Sequence, residues 1–171
     1  TTMLRLILDY ASTVDEAIEL VEQYDLHDSA GTSYHYMVAD AQGNSAILEW
    51  VAGTDQTDND GTARQLNVIR NDPEQNYQCI TNFILTPGYY EEGDDMGGKD
   101  RYDLLTSTLE EMNGTVAVLS LVCRRTWVVE GDHTQGTTVH SVVYNLTDKT
   151  ALWVGNEHYG EEAYTFQLQT P

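Results

Sequence analysis

A chain of 171 residues is one domain's worth of sequence, long enough to bury a full core, and its 8 basic against 28 acidic residues leave a net charge of −20. That charge repels phosphate backbones and anionic lipid, so no nucleic-acid partner is expected, and no run approaches the roughly 18 apolar residues of a membrane span. The carboxylates are scattered as on a solubilising surface, and "TTMLRLILDYAS" at the start lacks the basic flank, long apolar stretch and cleavage site of a secretory leader, so the chain is expected either to be intracellular, in a bacterial cytoplasm, or to have had a leader removed.

In chain order, "LRLILDY" has apolar residues at positions 4, 6, 7 and 8, and "TVDEAIELVEQY" repeats Val14, Ala17, Ile18 and Val21 at the spacing of an amphipathic helix. A helical pair is predicted. Thr13 with Glu16 three residues later has the form of a capping box, in which hydroxyl and carboxylate satisfy orphan amide donors. The period then changes to two. "SYHYMVADAQGNSAILEWV" reads as two strands around "DAQGN", where Gly43 can take the positive φ that closes a hairpin. "QLNVIRN" and "YQCITNF" read as two further short strands. "KDRYDLLTSTLEEM" returns to helical spacing, with Tyr102, Leu105 and Leu109 on one face and Asn113-Gly114 as a stop. "TVAVLSLVC" suits helix or strand by composition and is placed as a helix. "TVHSVVYNLTDKTALWVGN" is a hairpin around "LTDKT", and "AYTFQL" alternates as a last strand. Helices, strands, helices, strands imply an α+β fold with antiparallel sheets in a single domain, 1–171.

Two cysteines, Cys79 and Cys123, have neither a CxxC spacing nor a His partner, so neither a metal site nor a disulfide framework is expected, and both are read as reduced and mostly buried. No cofactor is implied. His35 in "SYHYM" reads as a packed or surface histidine rather than a base, and His140 beside Ser141 on one strand would point to the opposite face, which forbids a proton relay. Trp50, Trp127 and Trp153 read as core or rim packing, with contact to a substrate as the alternative for Trp127. The sequons at Asn113 and Asn145 matter only in a chain secreted from a eukaryote.

The succession from "LRLILDYASTVDEAIELVEQY" through the "DxxGxSxxxE" hairpin, "CITNF", "KDRYDLL" and "HSVVYNLTDKTALWVGN" resembles the choloylglycine hydrolase family. These are linear amide C–N hydrolases that include bile salt hydrolases and penicillin V acylases. The resemblance covers nearly the whole chain in the family's order, most weakly between Gly53 and Asp72. It implies an N-terminal-nucleophile hydrolase, an αββα four-layer sandwich in which a first-residue cysteine attacks the amide carbonyl with its own α-amino group as base. The family's "TN" asparagine, which helps to hold the oxyanion, matches Asn82. The arginine that opens the following helix and orients the site matches Arg101, within "KDRY" where bile salt hydrolases carry "SRF". No proline follows "TN", and the connection from Asn82 to Arg101 is shorter than in bile salt hydrolases, which puts bile salts themselves in doubt as substrates.

The resemblance implies that Cys79 falls on a structural strand position without a free amine and is not the nucleophile, and Cys123 lies in an apolar run that would leave a thiol inert. Thr1 falls on a mid-chain helix, not at the start of a strand as an N-terminal nucleophile requires. The sequence therefore resembles the C-terminal portion of such a hydrolase, acting on a small acyl-amide substrate, with Asn82 and Arg101 supplied to a site whose nucleophile lies elsewhere. The alternative is a non-catalytic derivative that binds a small ligand or a protein. The strands that would precede the helical pair are expected to cover a sheet carrying Val142, Tyr144, Leu152 and Val154, or their alternating neighbours. Left wet, such a face and its edges call for a separate N-terminal chain or self-association.

Overall fold

The structure, a computed structural model, describes residues 2–26, 34–51, 64–111, 140–156, 158 and 163–167. Nine elements follow one another: α1 (Thr2–Tyr10), α2 (Val14–Val21), β1 (His35–Ala39), β2 (Ser45–Val51), β3 (Gln65–Arg70), α3 (Lys99–Glu111), β4 (His140–Asn145), β5 (Thr150–Gly155) and β6 (Tyr164–Gln167). They form an α+β fold with two antiparallel three-stranded sheets, ordered β1-β2-β3 and β4-β5-β6. The chain divides into two compact units, residues 1–102 and 103–171. No helix among the described residues is long and apolar enough to cross a membrane.

In the first unit, the two helices lie on one face of the first sheet. Met3 and Ile7 of α1 and Val14, Ala17, Ile18 and Val21 of α2 are buried with Ala46, Leu48 and Trp50 of β2. Because side chains alternate along a strand, the partners of these three residues share their face. Tyr36 and Val38 of β1 and Leu66 and Val68 of β3 complete the apolar layer. Trp50 sits edge-on to Tyr36, with ring centroids 6.2 Å apart, and its indole N–H donates to the Tyr24 carbonyl at 3.1 Å. The amphipathic spacing of α1 holds for only part of its apolar surface, since Leu4 and Leu8 stay exposed.

Local chemistry sets the joints. Thr13 caps α2, its hydroxyl accepting from the Glu16 amide at 3.2 Å, while the Glu16 carboxylate reaches one residue further back than a capping box requires and accepts from Ser12 N at 2.7 Å. The hairpin between β1 and β2 closes with Gly43 at φ +90°, a left-handed conformation that favours glycine. Asp40, buried at the start of that turn, ties it to the helices. Its carboxylate accepts from Gln42 N and Asn44 N at 3.0 Å, from the Asn44 side chain, and from Val14 N at 3.1 Å. Burial alone would raise its pKa, but these donors outweigh it and hold the carboxyl below its usual range.

Two expectations are corrected. Residues 77–83 are irregular rather than a strand, because side chains engage the polar groups a ladder would use. The Gln78 amide donates to the Ile69 carbonyl of β3 at 2.8 Å, and the Thr81 carbonyl accepts from His35. In the second sheet, Val142 lies opposite Trp153 and Tyr144 opposite Ala151. Val142 and Tyr144 therefore share a face with Trp153, Tyr164 and Phe166, while Leu152 and Val154 lie on the other face with Val143. On the first of these faces Trp153 and Tyr164 pack at 5.7 Å between centroids, and Tyr144, Tyr164 and Phe166 are exposed. The helix expected at "TVAVLSLVC", the Asn113-Gly114 stop, Cys123, Trp127 and Thr1 lie outside the described residues.

Asp40→Ala should lower the unfolding free energy by about 1–3 kcal/mol, because the buried Val14 N–H and the turn amides lose their acceptor. Chemical denaturation followed by tryptophan fluorescence, which reports Trp50 in the same layer, measures it.

Candidate functional site

The face of the first sheet turned away from the helices is polar at its centre. His35, Glu49 and Asn67 lie side by side in register on β1, β2 and β3, and together they grip residues 81–86. Glu49, with no exposed surface, accepts four hydrogen bonds. His35 Nδ1 (3.0 Å) and Leu85 N (2.8 Å) donate to its Oε1, and Thr86 N (2.8 Å) and the Thr86 hydroxyl (2.6 Å) donate to its Oε2. The Asn67 amide donates to the same Thr86 hydroxyl at 2.8 Å. The other ring nitrogen of His35, Nε2, lies 2.6 Å from the Thr81 carbonyl.

Burial favours the uncharged form of both His35 and Glu49, yet their partners outweigh it and favour the charged forms. The Glu49 hydrogen bond, the Thr81 carbonyl and the Glu49 charge raise the His35 pKa, and the His35, Leu85 and Thr86 donors lower that of Glu49. With His35 protonated, the two form a buried, hydrogen-bonded ion pair.

Three successive residues of the gripped segment fasten the start of α3. The Thr81 hydroxyl donates to the Gly98 carbonyl at 2.9 Å, Arg101 Nη2 donates to Asn82 Oδ1, and Phe83 packs edge-on against Tyr102 at 5.3 Å between centroids. Asn82 and Arg101, 19 positions apart in sequence, are thus brought together. The orientation of the Asn82 carboxamide follows from chemistry: a guanidinium has only donors, so the atom facing Arg101 is the oxygen, and the amide N–H groups face elsewhere. Gly98 sits against this contact at φ +83°, and a Cβ there would lie 2.6 Å from Arg101 Nη2 and 3.2 Å from Asn82 Oδ1.

Cys79 is buried and helps to line a cavity of about 180 Å³ with Ile47, Ile69, Leu85 and Tyr102. Burial pushes its thiol up to about 11, so almost none is thiolate at neutral pH. It is a packing residue. His140 is exposed on β4. Among the described residues no three His, Cys, Asp or Glu side chains cluster as a metal site would need. The sequence reading took His35 for a packed or surface histidine, carried Glu49 only as the last letter of the "DxxGxSxxxE" hairpin, and did not single out Asn67, Thr86 or Gly98. A signal was present for Glu49, a charged residue inside the otherwise apolar strand "SAILEWV", directly opposite a histidine once the hairpin register is drawn.

The family model for acyl-coenzyme A:6-aminopenicillanic acid acyl-transferase matches residues 1–157, and the chain belongs to this family, part of the choloylglycine hydrolase and N-terminal-nucleophile group. No curated protein and no solved structure matches it at a significant level.

Two outcomes are expected. Cys79 should resist iodoacetamide at pH 8 in the folded chain and react once denaturant unfolds it, with the modified peptide identified by mass spectrometry. Gly98→Ala should cost about 1–3 kcal/mol of stability through backbone strain and push Arg101 off Asn82, seen as a shifted Asn82 side-chain resonance.

Proposed function

We propose that this chain supplies the carbonyl-activating part of an acyl-transfer site for linear amides. The observation that carries this reading is the Arg101–Asn82 hydrogen bond, which occupies the carboxamide oxygen and leaves its N–H groups to an acceptor. An amide donor fixed before the reaction begins stabilises the charge that appears on a carbonyl oxygen under attack, without reorganising to do so. Arg101 in this scheme orients Asn82 and adds positive charge near the developing oxyanion.

The nucleophile is placed outside residues 1–171, as the N-terminal cysteine of a preceding segment or separate polypeptide. Cys79 is internal, has no α-amine and is held as a buried thiol; Cys123 is internal too. The thiol proton passes to the α-amine as sulfur attacks the amide carbonyl. The tetrahedral intermediate collapses as the leaving amine takes that proton, and the acyl thioester is resolved by water in a hydrolase or by a second amine in a transferase. Penicillin V or bile-salt amides are the substrate classes proposed. The completed fold is proposed to be the four-layer αββα sandwich, with the exposed Tyr144, Tyr164 and Phe166 face covered by the polypeptide that brings the nucleophile, or by a second copy of this chain in its absence.

Residues 1–171 alone should not turn over penicillin V or glycine- or taurine-conjugated bile salts, because nothing creates the charge that Asn82 would stabilise. Joined to the cysteine-bearing segment they should, and there Asn82→Ala should lower kcat by about 10²–10³-fold. Turnover by 1–171 from an acylase-free host, or an undiminished Asn82→Ala enzyme, overturns the reading.

A further inference from the structure

The ring of His35 lies between two groups that can only accept. Glu49 Oε1 is a carboxylate oxygen that already takes the Leu85 amide, and the Thr81 oxygen is a backbone carbonyl. A neutral imidazole has a single N–H, so it can serve only one of them, and the other contact becomes a meeting of two lone pairs. Both contacts are satisfied only when both ring nitrogens carry protons. The second acceptor is the residue immediately before Asn82.

We propose that His35 and Glu49 are positioning residues for the Asn82 amide: the imidazolium holds the Thr81 carbonyl, and loss of its Nε2 proton releases the 81–86 segment at the point where Asn82 meets Arg101. The choice of nitrogen follows from charge. The Nδ1 proton faces an anion and is retained, whereas the Nε2 proton faces a neutral carbonyl and is the one given up to solvent base. An unprotonated Nε2 at 2.6 Å from a carbonyl oxygen is repulsive, and the segment must move away from it. Glu49 remains bonded to Leu85 and Thr86, so the far end of the segment stays anchored and the displacement falls on Thr81 and Asn82.

The groups acting on the ring among the described residues are the Glu49 carboxylate from β2 and the Thr81 carbonyl from the covering segment. Arg101, the charged group of the first turn of α3 that meets this segment, does so at Asn82. The sign of the pH effect is fixed by these partners. His35 binds its proton more tightly in the folded chain than its ordinary value of 6.5, so the contribution to stability is full below pH 6.5 and is lost as pH rises through the folded value. Glu49, with a lowered value, contributes fully above 4.5 and loses that contribution as pH falls through its folded value. The segment is therefore held best on the acid side of neutrality and loosens toward alkaline pH.

The inference takes its functional meaning from the reading of Asn82 as the oxyanion donor, but its test needs no turnover. The folded chain 1–171, labelled with ¹³C and ¹⁵N, is titrated upward from pH 5.5. The His35 ring nitrogens and the Asn82 carboxamide carbon are followed together, with backbone amides of β2 and β3 reporting integrity of the sheet. The expected result is one shared midpoint above 6.5 for the His35 ring and the Asn82 carbon, with Nε2 as the nitrogen that deprotonates. His35→Gln should abolish the Asn82 midpoint, and since the unmodified chain already carries the main observation, a failure of this variant to fold leaves the proposal testable. An Asn82 carbon that stays constant while the His35 ring titrates overturns it, as does a ring that stays protonated until the sheet unfolds. In the enzyme joined to its nucleophile segment, kcat should fall along an alkaline limb with that same midpoint while KM is retained. A shared midpoint without that limb would refute the oxyanion reading and leave the positioning inference standing.

Discussion

A carboxylate taken out of water costs several kcal/mol unless its charge and lone pairs are met, and Glu49 has no exposed surface at all. What meets it comes from different parts of the first unit: the His35 ring on β1 and three donors from the segment that follows β3. None of these groups is adjacent to Glu49 in sequence, so the ion can be satisfied only when hairpin register and segment path are both correct. Removing a donor leaves a buried ion short of a partner, whereas a lost methyl group in an apolar layer leaves a cavity that can partly relax. That asymmetry makes the polar row the stricter specification of the native geometry.

The two faces of the first sheet divide the work accordingly. Toward α1 and α2 the sheet presents Ala46, Leu48 and Trp50, and non-directional burial supplies cohesion there. Toward residues 77–90 it presents His35, Glu49 and Asn67, whose hydrogen bonds have direction and length. Directional contacts can hold an irregular segment in one path, which burial alone does poorly. The gripped segment then carries its constraint outward: Thr81, Asn82 and Phe83 each take a group at the start of α3. Asp40, at the other end of the hairpin, ties its turn to the helices by accepting the Val14 amide of α2 and the turn amides together.

On the proposed reading a carboxamide suits position 82 because its oxygen and nitrogen point in different directions: Arg101 holds the oxygen, and the nitrogen is the donor proposed to act. Gly98 is required by proximity as well as by its positive φ, since a side chain there would occupy the space where guanidinium and carboxamide meet. In an acyl-transfer family the chemical step needs a nucleophile and a prepared place for the oxyanion, and the two need not come from one contiguous stretch of chain.

The sequence by itself determined whatever depends on neighbours in the chain. Helical spacing and the Thr13 cap set α2, Gly43 and alternation set the first hairpin, "LTDKT" sets the second, and the order of motifs pointed to the family. The tertiary structure decided what depends on partners far away. Alternation in "YQCITNF" suggested a strand, but its Gln78 side chain reaches back to the Ile69 carbonyl 9 positions away and the His35 ring, 46 positions away, meets the Thr81 carbonyl, and the stretch is irregular. The second sheet's faces could be assigned only from register, because a shift of one residue exchanges them. His35 read as a packed or surface histidine because no local pattern distinguishes a neutral ring from an imidazolium. That difference is set by a carboxylate 14 positions away and a carbonyl 46 positions away, and only the folded chain brings both to one ring.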